Sequence, residues 1–270
     1  MSRSLLCLLF IVFSPFMVFA LPVDSVRLAT IPSSFSIVEH YLMVQQIENS
    51  AMGAFLRPSI LFSRVENRLC IKEMVDAEIG AVFRYQQNSF SIQSNHWGYS
   101  KYGDLKLSAS YSRVFGKHIS FGFRFNYFLQ HSVEYASVHS ISFDLSFYAK
   151  ITRHFSLGFI VNNPAAFKVG ITGKSILPII LQVQSNYVIG KNCLLYAAIS
   201  KEIKSVWNIS VGAGYQLKSL VLFIDAEFPR PSIAVGISVY YRRFLFGGCA
   251  KYAIPAGFIS QLNISYFFKT

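Results

Sequence analysis

The chain is 270 residues long, 53% apolar, 16% aromatic and only 14% charged, with 26 Phe against 2 Trp. Soluble domains carry about 25% charged residues, so a freely soluble globule is a poor fit, and this much apolar material excludes disorder. The formal charge of +12 does not point to nucleic acid, because Lys and Arg are scattered rather than gathered into a basic block.

Arg3 precedes an apolar run from Leu5 to Phe19, broken only by Ser14 and Pro15, and Val18 and Ala20 place small residues ahead of Leu21. A short charged start, an apolar centre and a small-residue exit make a secretory signal peptide, so residues 1–20 are expected to be removed on export. Cys7 lies too early for a lipoprotein cleavage site. The mature chain would keep Cys70, Cys193 and Cys249, an odd count whose spacing suits neither zinc nor a disulfide framework. Residues 21–57 form a separate segment, in which Ile37, Tyr41, Leu42, Val44 and Ile47 follow a helical spacing after the serines of 33–36. About 35 residues ahead of the first strand are more than a lead-in needs; either a short helix folded into a barrel mouth or a periplasmic tail with a transient helix is expected there.

From residue 58 to the end the period is two. In Ile119-Ser120-Phe121-Gly122-Phe123-Arg124-Phe125-Asn126-Tyr127 every odd position is apolar and every even one is small or polar. The pattern recurs near 59–64, 78–86, 88–96, 104–115, 118–129, 138–151, 154–162, 177–188, 192–201, 206–216, 218–228, 231–241, 244–252 and 258–268. Strict alternation means strands with one apolar and one polar face. The apolar face is bulky Phe, Ile, Leu and Val; the polar face is Ser, Gly, Asn and Gln with few charges, which suits lipid outside and a lumen inside. Backbone groups in hydrocarbon must all be paired, so such a sheet must close. Tight connections at Gln87-Asn88, Gly116-Lys117, Arg153-His154, Gly190-Lys191, Lys218-Ser219 and Arg242-Arg243 alternate with longer ones at 65–77, 97–103, 130–137 and 163–176. Tyr85, Tyr111, Tyr127, Tyr215 and Tyr266 fall toward strand ends, as girdle residues do. The fold class expected is all-β: a transmembrane antiparallel up-and-down β-barrel of about fourteen strands over residues 58–270. It would stand as a monomer among the lipids of a Gram-negative outer membrane, with both termini periplasmic. A soluble β-sandwich is the competing fold.

Asn49-Ser50-Ala51-Met52-Gly53-Ala54-Phe55-Leu56 resembles the Asn-Pro-Ala stretch leading into FadL-type barrels, with Ser50 in the place of the proline. Tyr99-Ser100-Lys101-Tyr102-Gly103-Asp104-Leu105-Lys106 and the residues to Phe115 resemble a hairpin of PorV and PorQ, the FadL-like outer-membrane proteins associated with type IX secretion in Bacteroidetes. Gly158-Phe159-Ile160-Val161-Asn162-Asn163 is similar to the strand end that follows in that group. The resemblance covers about 49–163 and implies a plug built on Asn49, Ser50 and Ala51. It further implies a PorV/PorQ-like accessory that docks secreted cargo or secretion machinery, or alternatively a FadL-like passage for small hydrophobic or amphipathic ligands.

Inward parity gives the lumen and gating candidates Glu78, Arg84, Lys106, Arg124, Asp144 and Asp225, with Lys150 and Glu227 beside them. Arg124 and Asp144, on adjacent strands and each about seven residues from a tight turn, are expected at one height as a brace across the lumen. An outer-membrane enzyme would need a Ser–His arrangement at the rim. The histidines are His40, His96, His118, His131, His139 and His154, none with a matching partner in sequence, and no catalytic, cofactor-binding or metal-binding residue is expected. Asn163-Pro164-Ala165 repeats the plug letters but reads as an outer turn. Gly212, Gly214, Gly247 and Gly248 read as kinks or close lumen packing rather than phosphate loops.

Overall fold

Alternating residues pair into strands of 8–14 residues in a computed structural model of the chain, which describes residues 37, 40, 41, 44, 48–69, 71, 75–99, 101–133, 137–169, 175–203, 205–254 and 256–268. The signal peptide, Leu42, Ile47 and Cys70 lie outside the described residues. Chain order begins with a four-residue helix α1 (Ser50–Gly53), followed by β1 (Ile60–Arg68), β2 (Val75–Tyr85), β3 (Asn88–Tyr99), β4 (Tyr102–Phe115) and β5 (Ile119–Ser132). Then come β6 (Val138–Lys150), β7 (Phe155–Asn162), β8 (Lys168–Val169), β9 (Ser175–Ile176), β10 (Ile180–Ile189) and β11 (Cys193–Glu202). The last are β12 (Trp207–Leu217), β13 (Leu220–Phe228), β14 (Ser232–Tyr241), β15 (Phe244–Ala253) and β16 (Gly257–Phe267).

Fourteen of these strands close an antiparallel barrel in sequential order, with β7 beside β10 and β16 beside β1. The closing register runs from Ile60 opposite Phe267 to Arg68 opposite Ile259, so no long edge is left unpaired. β8 and β9 form a separate two-stranded hairpin within the longest connection, an element absent from the alternation pattern because two residues carry no period. Asn163 ties that connection down. Its N–H donates to Asp144 Oδ1 at 3.3 Å, its Nδ2 donates to the Leu177 carbonyl at 2.8 Å, and its Oδ1 accepts from Phe167 N at 2.9 Å.

Parity assigns the faces as the sequence implies. Phe121, Phe125, Ile224, Val235 and Leu262 are outward and exposed, while Asn126, Ser142, Gln184 and Ser238 are inward and buried. The connections opposite the tight turns are shorter than the expected 97–103 and 130–137, because β3, β4 and β5 continue to Tyr99, from Tyr102 and to Ser132. Trp97 packs edge-on against Tyr102, and Tyr102 Oη donates to Asp104 Oδ2 at 3.3 Å, which carries the hairpin pairing to its tip.

Candidate functional site

The lumen is filled from the tight-turn end by described residues between 37 and 57. Ile37, His40, Tyr41 and Val44 are helical, and Asn49 caps α1 by accepting from Ala51 N at 3.1 Å. The three residues of the Asn-Ser-Ala stretch are buried and seated on β5 and β6. Ser50 Oγ and Ser146 Oγ lie 2.8 Å apart, Ala51 N donates to Ser146 Oγ at 3.0 Å, and Ser120 Oγ donates to the Ala51 carbonyl at 2.8 Å. Asn49 Nδ2 donates to the Phe147 carbonyl at 3.4 Å. Serine at the first helical position is free to adopt the backbone proline would have, and it adds a hydroxyl bond that proline lacks.

The wall makes room for this seat. A Cβ on Gly122 would fall 2.5 Å from Ser50 Oγ and 2.6 Å from Ala51 N, and one on Gly158 would fall 2.8 Å from Asn49 Nδ2. Beside the seat, Ile37, Tyr41, Met52 and Leu56 meet inward residues near the tight turns: Val82, Leu194, Val221, Tyr240, Leu245 and Phe267. An apolar floor therefore lies at this end of the lumen, beside the Ser-, Gly- and Asn-rich face that the alternation implies. The residues responsible stand in consecutive apolar pairs such as Tyr240-Tyr241 and Phe267-Phe268, where alternation loses its meaning at the strand end. His40 sits in this floor, 7% exposed and edge-on to Tyr240, and its Nε2 has no hydrogen-bond partner. Burial pushes its imidazole down to about 4.

Above the floor the two walls differ. On β1 to β6, Arg64 Nη2 contacts Glu78 Oε2 at 2.7 Å, and Lys106 lies over the Phe128 ring at 5.6 Å. Arg124 and Asp144 stand opposite each other in register, both buried. Asp144 Oδ2 accepts from Asn126 Nδ2 at 2.8 Å, and Asn126 Oδ1 accepts from Ser108 Oγ at 2.8 Å. Lys106 and Arg124 both feel Asp144, Glu78 and Glu48, so the structure gathers four of the candidates, Glu78, Lys106, Arg124 and Asp144, into one charge network. Arg84 is not among them. It lies at the tight-turn end of β2, where Nη1 donates to the Leu56 carbonyl at 2.5 Å and Nε to the Gln86 carbonyl at 3.2 Å. Asp225 is on β13, in a second group where Lys251 Nζ donates to Glu227 Oε1 at 2.8 Å and Ser232 Oγ donates to Glu227 Oε2 at 3.1 Å. Arg64 and Lys251 were missed because the parity of β1 and β15 is blurred by mixed residues.

The wall of β11 to β16 is built from glycines under folded-down side chains. A Cβ on Gly212 would lie 2.2 Å from the Tyr196 ring, one on Gly236 would lie 1.9 Å from the Phe223 ring, and one on Gly247 would lie 1.9 Å from Asn263 Oδ1. Each glycine is the register partner of the residue lying over it, so these side chains rest on the wall instead of crossing the lumen. Tyr196 also packs against Tyr41, with ring centroids 5.6 Å apart, so the segment touches both walls. A dent of about 500 Å³ lined by Leu61, Ile79, Ile92, Leu107 and Phe125 lies on the outward face and is no part of the lumen.

No protein-family model matches the chain, and no curated protein does. Among solved structures, the toluene transporter TodX of P. putida is similar at a TM-score of 0.64 and 9% identity, over 84% of this chain and 94% of that one. The toluene transporter TbuX of Ralstonia pickettii is similar at a TM-score of 0.59 and 10% identity, over 83% and 93%. A FadL homologue of Pseudomonas aeruginosa is similar at a TM-score of 0.59 and 9% identity, over 83% and 94%. Closed by β16 on β1 and with Asn49, Ser50 and Ala51 seated against the inner wall, the chain has the β-barrel fold of these proteins.

Proposed function

We propose that this protein is an outer-membrane barrel that passes a small hydrophobic or amphipathic ligand through its lumen, gated at the tight-turn end by the segment containing Asn49, Ser50 and Ala51. The observation that carries this reading is the apolar floor: Ile37, Tyr41, Met52 and Leu56 pack on apolar wall residues, while hydrogen bonds from Asn49, Ser50 and Ala51 to β5 and β6 and from Arg84 to the Leu56 carbonyl hold the stretch in place. The wall of β11 to β16 supports it, because Tyr196, Phe223 and Asn263 lie flat over facing glycines, the arrangement a passage along that wall needs. Barrels it resembles in shape include two named as toluene transporters, which favours a ligand of that chemical class. The secretion-accessory role implied by the PorV/PorQ resemblance lacks comparable support. It calls for outer loops able to grip a protein, and β3 joins β4 through residues 100–101 alone.

Uptake of a monoaromatic hydrocarbon and of a sugar into liposomes carrying the refolded protein tests the reading. Hydrocarbon uptake above protein-free liposomes, increased by deletion of residues 22–57, is expected. Equal leakage of both solutes, or no uptake with or without the segment, sinks it.

A further inference from the structure

The charge of the barrel is separated along its axis. Lys117, Arg153, Lys191, Lys218, Arg242 and Arg243 occupy five consecutive tight turns, from β4–β5 round to β14–β15, and all six are exposed. No described acidic residue accompanies them. The acidic residue nearest a tight turn along its own strand is Asp225, five residues inside Leu220, or about 16 Å of strand at about 3.3 Å per residue. That exceeds the Debye length of about 8–10 Å at physiological salt, so these cations have no internal counter-charge. The opposite rim carries both signs, with Asp104 and Glu202 among Lys101, Lys201 and Arg230.

Three arginines at or beside the tight-turn rim lie against outward aromatic rings. The Arg113 guanidinium lies 5.7 Å from the Phe115 centroid, Arg242 lies 5.4 Å from Tyr241, and Arg243 Nη1 donates to Tyr266 Oη at 3.4 Å. Aromatic side chains at strand ends mark the boundary between hydrocarbon and headgroups, so these guanidinium groups sit at headgroup depth. Cations recur every two strands, about 10 Å apart round the circumference at about 4.8 Å per strand. That arrangement faces outward round an arc, where an annulus of lipids meets it; a folded protein partner would need its cations in one contiguous patch.

We propose that the tight-turn rim is a docking collar for anionic phospholipid headgroups of the leaflet it faces. It holds the barrel at a set depth and selects lipids whose phosphate carries an uncompensated charge. The inference rests on the barrel spanning a membrane but not on what passes through it.

The full-length refolded protein, reconstituted into phosphatidylcholine bilayers with and without phosphatidylglycerol and then stripped with detergent, gives the test through the lipids it retains, counted by native mass spectrometry. Retained phosphatidylglycerol should exceed phosphatidylcholine by about five-fold per engaged cation, and the excess should collapse at about 1 M salt, where screening acts within about 3 Å. The variant K117E/R153E/K191E/K218E/R242E/R243E should lose the excess while keeping the gel shift of a folded barrel. Should that variant not fold, the milder R242Q/R243Q is expected to lower the excess in part. Equal retention of the two lipids by the unaltered protein overturns the collar, as does an excess untouched by either variant. Salt-sensitive capture of soluble polyglutamate without lipid selectivity also overturns it, in favour of an acidic polypeptide partner. Because no ligand flux is measured, a negative result leaves the transport reading standing.

Discussion

Tyr196, Phe223 and Asn263 are large inward residues that lie along the wall, because each rests across a glycine on the next strand. The glycine is needed for the absence of a side chain rather than for any special backbone angle. Gly212→Ala would put a methyl 2.2 Å from the Tyr196 ring, which must then swing off the wall. Overpacking of this kind costs about 1–3 kcal/mol, well short of unfolding a barrel. We expect a folded G212A barrel with ligand uptake reduced several-fold, and recovery in Y196A/G212A, where the displaced ring is gone. Unchanged uptake in G212A would mean the ligand does not pass this wall.

At the scale of elements, the seat of α1 depends on the depression at Gly122. A valine there cannot coexist with Ser50 Oγ and Ala51 N at 2.5 and 2.6 Å from its Cβ. G122V should therefore expel the Asn49–Ala51 stretch and raise liposome conductance toward that of the deletion lacking residues 22–57, while β5 still pairs with β4 and β6. His40 adds a pH dependence to the same element. Its docked imidazole stays neutral down to about 4, whereas an undocked one protonates near 6.5. Above 6.5 both forms are neutral and pH has no leverage. As pH falls from 6.5 to about 4 only the undocked form gains a proton, so docking weakens by up to about 3 kcal/mol, with no further loss below about 4. Hydrogen-exchange protection factors over residues 48–56, each taken against the intrinsic exchange rate at its own pH, should fall between pH 7 and pH 5, and His40→Leu should abolish the fall.

At the scale of the whole molecule, parity decides which side of the wall meets lipid. Leu262 and Gln261 are neighbours on β16, the first exposed outward and the second facing inward. Arginine at Leu262 should cost about 2–4 kcal/mol of barrel stability in a bilayer, falling toward the interface, while arginine at Gln261 should cost far less. Urea refolding into lipid vesicles, followed by the heat-modifiable gel shift, reads both. Equal penalties would contradict a membrane-facing outer wall.

Much of this barrel is legible in the sequence, because a strand with one face on lipid must alternate and the period survives in single residues. All fourteen barrel strands lie within a few residues of the alternating segments, and Arg124 opposite Asp144 follows from counting back from adjacent tight turns. The lumen candidates fared less evenly. Arg84 belongs to the rim and Asp225 to the far wall, because parity tells the face of a residue but not its height or position round the circumference. The β8–β9 hairpin, the apolar floor and the glycine-backed wall had no periodic signal at all. By itself the sequence determined the wall: strand number, face and order, all set by local alternation and tight turns. Only the tertiary structure decided what fills it, since the seat of Ser50 on Ser146 joins residues 96 positions apart, and contacts across a lumen depend on closure, which no local pattern encodes.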